Sequence, residues 1–425
     1  MISRKDVESA LQNYLASQDF SLEKYEFRTF SDGNLGFMGR HFKITTWVTF
    51  EGSSRQIDFF AKLAPTSRTH QTARTTSNYF TKEVFTYAYL APKLDACLLP
   101  RAKFPVPRCF LSRDAAALTP PSEDRRLLLL EDVSRLNFRL LEDVQPLDLA
   151  HCRAVLRSLA RFHASSLLLQ ESLVGDGESN TLREVAKEVF RSDFLNWMSG
   201  MNWAFNCARS MATAAALIWT ERFDAAKESV LIKLNEAWER VYAMAYASDK
   251  YANVLCHADL WINNMMFSYE KNPEGKEVPV DVVFVDLQFV HYTPPTLDLL
   301  LFLHLCTRRE FRDENWRDLL EYYHTEIGKY VSTKTLETRF PFTSLLESFE
   351  EFREYGRLKS IGYLPTVLEG LVPREQLDEQ EPDVLEGMLK DRGHQIFRYC
   401  KASEAYRTRI EESFQECLEG LNLWI

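Results

Sequence analysis

The sequence predicts an α+β fold in two parts: a small antiparallel sheet carrying one helix, then a larger and mostly helical part. Three observations carry this. The first third of the chain holds short runs rich in β-branched and aromatic residues, separated by polar turns. From residue 148 onward, apolar residues recur at helical spacing nearly to the C-terminus. The exception is 253–293, where two apolar runs flank a polar, Gly- and Pro-bearing stretch, as in a second, smaller β region.

The elements follow in order. "MISRKDVESALQNYLAS" (1–17) alternates charged and apolar residues like an amphipathic helix and lacks the apolar core of a signal peptide. "HFKITTWVTF" (41–50) and "QIDFFAKLA" (56–64) flank the polar turn "EGSSR" and read as an antiparallel hairpin. "SNYFTKEVFTYAYLAPKL" (77–94) has apolar residues at helical spacing, with Pro92 where the helix should end. "PVPRCFLSRD" (105–114) and "RRLLLLEDVS" (125–134) read as two further strands. The simplest assembly is a five-stranded sheet with one helix inserted after the third strand. After "EDVS" the character changes: "DLAHCRAVLRSLARFHASSLLLQE" (148–171) is a long amphipathic helix. The boundary is placed between residues 131 and 132, giving parts 1–131 and 132–425.

Composition removes several classes. The chain has 425 residues, 45% of them hydrophobic, enough for a large core and against disorder. Net charge is −10 with a pI near 5.6, and no long basic run offers a nucleic acid the cationic face it needs. No apolar stretch is long enough to span a bilayer. The eight cysteines, at 97, 109, 152, 207, 256, 306, 400 and 417, have neither zinc nor redox-dithiol spacing and read as reduced, mostly buried residues. A soluble cytoplasmic protein is expected; the oligomeric state is not legible.

The chemistry concentrates in "VLCHADLWINNMMF" (254–267). This apolar run carries His257, Asp259 and Asn264, and "VDLQ" adds Asp286 shortly downstream. Phosphoryl transfer needs these group types. One carboxylate orients a hydroxyl and takes its proton, while an amide oxygen and a second carboxylate hold Mg²⁺. Singly, each residue is better explained as a turn satisfying its own backbone; together, in this order, they are not. Lys62 sits on an otherwise apolar strand and Glu83 on the helix that follows, the pairing that holds nucleotide phosphates in protein kinases. Glu51 and Asp58 are alternative partners for Lys62. "SDGNLGFMGRHFKI" (31–44) precedes the first hairpin and holds Gly33, Gly36 and Gly39, which permit close backbone approach to phosphate; an ordinary turn explains it equally well. Glu131 and Asp132 end a strand at the boundary, where a hinge backbone would meet an adenine edge.

The stretches "LCHADLWINNMMF", "VFVDLQFVHYTPPTLDLLLFL", and "LLLLEDVS" followed by "SLARFHASS" resemble the ecdysteroid kinase-like family. That family lies in the choline-kinase and aminoglycoside-phosphotransferase branch of the protein-kinase-like fold. The resemblance runs from about residue 25 to the C-terminus and is most specific in the Trp-x-Asn-Asn after Asp259. It implies a bilobal fold, with a nucleotide-binding N-lobe (1–131) and a C-lobe (132–425) holding catalytic loop, metal site and substrate pocket. It further implies Asp259 as catalytic base, His257 as loop brace, Lys62 with Glu83 on the phosphates, Asn264 and Asp286 on Mg²⁺, and Asp298 in support of the catalytic loop. Gly36, Gly39, Glu131 and Asp132 would complete the nucleotide site.

Three departures stand out, one being the glycine turn "LGFMGRHF", where the Gly-x-Asn form is commoner in the family. The family usually has Gly between the His and Asp of the triplet, where this chain has Ala258, and often Asp-Phe-Gln where this chain has Asp286-Leu287-Gln288. The resemblance implies an ATP- and Mg²⁺-dependent kinase acting on a hydroxyl of an ecdysteroid or related lipophilic hormone or xenobiotic, in hormone inactivation or detoxification in an insect. A steroid-sized acceptor would need an apolar pocket, for which "FLNWMSGMNWAF" (194–205) and "SIGYLPTVLEGL" (360–371) are candidates. Three alternatives remain: a choline-type kinase, a silent binder of hormone or nucleotide, and a hydrolase built on Asp259 and Asp286. The last leaves Lys62 and Asn264 without a role.

Overall fold

The computed structural model describes residues 2–29, 40–64, 79–113, 126–142, 144–175, 182, 184, 203–223, 227–244, 246–377 and 390–424. The glycine turn at 31–39 and most of the aromatic stretch at 194–205 lie outside these residues. The chain divides into two compact units: Met1–Leu140 with Asn263–Val290, and Leu141–Ile262 with His291–Ile425. A single cut at 131/132 would assign 263–290 to the second part; by its contacts this segment belongs with the first.

In the first unit, helix α1 (Arg4–Leu15) starts at a capping box in which Ser3 Oγ accepts the Asp6 N–H and Asp6 accepts the Ser3 N–H. Five strands follow: β1 (Phe20–Thr29), β2 (Arg40–Phe50), β3 (Ser53–Leu63), β4 (Cys109–Arg113) and β5 (Leu127–Glu131). They form one antiparallel sheet in the order β1-β2-β3-β5-β4. The α+β class and the five-strand count are therefore as expected, and the strand that the sequence left unplaced is β1. The turn between β2 and β3 is shorter than "EGSSR". Only Glu51 and Gly52 turn, both at positive φ, and Phe50 pairs directly with Ser53. Two successive positive-φ residues match the strand twist, which is why so short a loop suffices. Prolines 105 and 107 have no N–H to give a ladder, so β4 begins only at Cys109.

Strand alternation sorts β3. Ile57, Phe59, Ala61 and Leu63 lie in the core with Val7, Ala10 and Leu11 of α1 and Leu127 and Leu129 of β5. Asp58, Phe60 and Lys62 take the other face. Helix α2 (79–98) does not stop at Pro92. A π-helical turn, Thr86–Leu90, precedes the proline, which falls in the first turn of the resumed α-helix Ala91–Leu98. At that position a missing N–H costs little. Strands β7 (Met265–Lys271) and β8 (Glu277–Phe284) close a hairpin whose strands run well into the predicted loop, leaving a tight turn with Gly275 at φ +78°.

In the second unit, β6 (Val254–Cys256) pairs with β9 (His291–Thr293), a sheet separate from the hairpin. The rest is helical: α3 (Leu149–Gly175), α4 (Trp203–Ile218), α5 (Lys227–Met244), α6 (Thr296–Cys306), α7 (Arg309–Ile327), α8 (Phe342–Glu351), α9 (Arg353–Val367), α10 (Gly393–Ala402) and α11 (Glu404–Gly420), with short helices between. Every residue of α6 is buried, as an all-round apolar helix must be. Its C-terminal carbonyls are met by arginines: Arg409 donates to Leu305 O and Thr307 O, and Arg312 to Thr307 O at 2.9 Å. Helix α9 packs closely on α6 because position 356 is glycine; a Cβ there would overlap the His304 imidazole, 2.7 Å from Cε1. Among the described residues no helix is long and apolar enough to cross a membrane.

Candidate active site

Two clusters of buried polar groups stand out, one in each unit. In the first, Lys62 projects from the non-core face of β3 and donates to Glu83 Oε1 of α2 at 2.9 Å and to Asp286 Oδ1 at 2.6 Å. All but Asp286 are essentially fully buried. Burial alone would discharge the lysine, but Asp286 and Glu83 outweigh it and hold the ammonium charged. Burial pushes Glu83 up to about 7 against the pull of Lys62, with Asp286 adding to the rise. One cation facing two carboxylates is a site with spare negative charge. His41, which pairs with Lys62 across β2 and β3, is held down at about 4 by burial and the lysine's charge, so it stays neutral.

The pairing of Lys62 is thereby decided. Asp58 is taken by Arg135 and by Lys43 at 3.3 Å, and Glu51 by Arg55 at 3.2 Å. Asp286 itself stands at φ +64°, a strained conformation for a residue with a Cβ, and its Oδ2 accepts from Gln288 at 3.1 Å. The hairpin brings Asn264 to the same end of β7 and β8: Met265 pairs with Phe284, and the Val285 N–H donates to Asn264 O at 3.0 Å. Asn264 and Asp286 thus offer oxygen donors from adjacent backbone, the hard donor type that Mg²⁺ accepts. Glu131 Oε2 accepts the Arg108 N–H at 3.4 Å, and Asp132 caps Val133–Leu136 while pairing with Lys43 at 2.8 Å. Both side chains are therefore engaged inside their own unit. Gly36 and Gly39 lie outside the described residues.

In the second unit, the loop after β6 carries His257, Ala258 and Asp259. Asp298, in the first turn of α6, does not cap its own helix; it accepts the N–H of His257 at 2.6 Å and of Ala258 at 2.8 Å. This grip accompanies Ala258 at φ +62°, a left-handed conformation that explains why glycine is usual at this position. His257 Nδ1 accepts the Asp259 N–H at 3.3 Å, so the histidine braces the loop through its ring as well as its backbone. Asp259 is buried beside this turn.

Behind Asp298 lies a layer that sequence reasoning missed. His163 of α3, wholly buried, places Nε2 3.1 Å from Asp298 Oδ2 and Nδ1 2.6 Å from the Tyr323 hydroxyl of α7. The signal was present in "FHASS", a histidine on the apolar face of a helix, and no function was attached to it. His163, Cys256 and Asp298 also offer three metal-ligand atoms within 4.8 Å. Asp298 is already committed to two backbone N–H groups, and Cys256 Sγ to the carbonyls of Thr293 and Pro294. This is a hydrogen-bonded brace rather than a metal centre. A second unforeseen group is Lys359 of α9, buried between Tyr355 and Tyr363 with its ammonium 5.5 and 5.6 Å from their ring centroids.

Comparison with known proteins gives one family match: the model of the ecdysteroid kinase-like family covers residues 35–335. No curated protein matches the chain. Among solved structures, the crystal structure of choline kinase LicA from Streptococcus pneumoniae aligns over 95% of this chain and 99% of its own, at 11% identity and a TM-score of 0.33.

Proposed function

The chain belongs to the ecdysteroid kinase-like family, and from that premise we propose that it transfers the γ-phosphoryl group of ATP to a hydroxyl of an ecdysteroid or related lipophilic hormone or xenobiotic. Family membership supports a small-molecule phosphotransferase. The observation that carries the proposal to this chain is the buried Lys62, held charged and fixed by Glu83 and Asp286. A lysine so anchored suits the phosphates of a nucleotide, and its spare negative neighbour suits a divalent cation. Asn264 and Asp286 would hold Mg²⁺, which when bound offsets phosphate charge. Asp259 would accept the proton of the acceptor hydroxyl, on a loop fixed by Asp298 and His257. The rate would come mostly from alignment and from the charge of Lys62. Eight free cysteines fit a reducing cytoplasm, where hormone inactivation or detoxification would take place.

The test is ATP-to-ADP turnover with Mg²⁺ against a panel of ecdysteroids, hydroxylated plant toxins and choline, with product read by mass shift. Asp259→Asn runs alongside. A phosphorylated steroid that disappears in the variant supports the assignment. Nucleotide binding without transfer to any acceptor points instead to a silent binder, and no nucleotide binding at all overturns the kinase assignment.

A further inference from the structure

Helix α9 presents Tyr355, Lys359 and Tyr363 on successive turns of one face, at i, i+4 and i+8. A lysine at such a position normally extends its stem across apolar surface and leaves its ammonium in water. Lys359 does not: the residue is only 4% exposed, and its Nζ sits between the two tyrosine rings, 5.5 and 5.6 Å from their centroids. All three side chains lie within the electrostatic field of Asp259. Burial draws the lysine down to about 8, and Asp259 opposes that fall. The charge of Asp259 therefore acts on an aromatic pair already occupied by a cation belonging to the protein.

We propose that Lys359 is a specificity-determining residue, filling from within the aromatic box beside Asp259 so that the acceptor site takes neutral or anionic alcohols and rejects cationic ones. This rests on Asp259 marking the acceptor side. Two tyrosine rings next to a carboxylate are the groups that recognise a quaternary ammonium, the cation being drawn to the ring faces. With an ammonium already there, an incoming cation meets like charge and finds the ring faces taken. A neutral polyhydroxylated molecule meets neither obstacle, and an anionic one gains from the lysine. The acceptor class is thus set by one residue, with the tyrosines as its holders.

The test uses the full chain and a matched pair of alcohols that differ in charge alone: choline and 3,3-dimethyl-1-butanol, its neutral isostere. Affinities are measured by calorimetry, so the result does not depend on turnover; ATP transfer and nucleotide binding are recorded separately and report on the kinase assignment itself. The wild-type chain should favour the neutral isostere. Lys359→Met, which keeps length and removes charge, should move the ratio toward choline by at least about tenfold, the scale of a cation–π contact out of water. Lys359→Arg should keep the wild-type preference, and far-UV circular dichroism should show both variants folded. The proposal is overturned if the wild-type chain prefers choline, if Lys359→Met leaves the ratio unchanged, or if neither alcohol binds any of the three proteins.

Discussion

Replacing Asp298 with asparagine isolates what one buried carboxylate does for the loop that carries Asp259. The carboxylate is almost wholly buried and accepts two backbone N–H groups, from His257 at 2.6 Å and Ala258 at 2.8 Å, while facing His163 Nε2 at 3.1 Å. Asparagine has the same shape but one acceptor oxygen fewer, and its NH₂ must point at a group that is itself a donor. One buried N–H then loses its acceptor, at about 1–3 kcal/mol. The hydrogen bond that survives loses its charge assistance, about 1 kcal/mol more. Asp298→Asn should therefore destabilise the chain by roughly 2–4 kcal/mol. It should also lower the turnover of any reaction that depends on Asp259, because the two N–H groups that Asp298 accepts belong to the turn that holds Ala258 in its left-handed conformation. The assay is urea unfolding followed by tryptophan fluorescence, with ATP turnover measured on the same preparations. A stability change below about 0.5 kcal/mol would refute the brace, since a stranded buried donor cannot cost so little.

Four further outcomes follow from the geometry. Lys62→Met leaves Glu83 and Asp286 buried without their shared cation and should cost about 3–5 kcal/mol in urea unfolding; an unchanged midpoint would mean that the ion pairs do not form in solution. Ala258→Gly removes a side chain from φ +62°, and should raise stability by about 0.5–1 kcal/mol after the entropy of glycine is set against the relieved strain; a lower melting temperature would contradict that. Gly356→Ala drives a methyl into the His304 ring and should destabilise by about 1–3 kcal/mol, again read from unfolding curves, with a neutral result ruling out the close α6–α9 contact. Burial alone would raise the pKa of Glu416, but His304, Arg312 and Arg357 overcome it and hold it well below 4.5. Since the folded value is the depressed one, its stabilisation is complete above about pH 4.5 and fades as pH falls toward the folded value. Glu416→Gln should be less stable at pH 7, and the gap from the wild-type chain should close on acidification; a gap independent of pH would show that the charge is immaterial.

What was legible in the sequence was what short-range pattern encodes. Lys62 stood out as a cation on an otherwise apolar strand, and the mixture of His257, Asp259 and Asn264 in an apolar run marked the loop. Partner choice was not legible, because it depends on which elements meet. Lys62 had three candidate carboxylates, and the sheet register decided by giving Asp58 to Lys43 and Arg135. Asp286 as a second partner of Lys62, across 224 positions, could not be foreseen from spacing. His163 looked like one more buried helical residue until α3, α6 and α7 were packed together around it. Lys359 was hidden by the same ignorance of contacts, since only burial separates it from a solvated helix charge. Pro92 misled because a π-turn, which leaves no mark in apolar spacing, precedes it and sets it in the first turn of a resumed helix.

The route of the chain through its two units has a consequence in time. The first unit is opened by residues 1–140 and finished only by 263–290, with much of the second unit threaded between. On a ribosome adding about 5–20 residues per second, Lys62 emerges roughly 11–45 s before Asp286 does. For that interval the nascent sheet carries a lysine with one of its two carboxylates, and the end of the hairpin that presents Asn264 and Asp286 does not exist. A truncated product ending near residue 140 would therefore be a sheet without its closing hairpin, and no fragment cut at one point contains the whole of the first unit unless it also contains the Leu141–Ile262 part of the second.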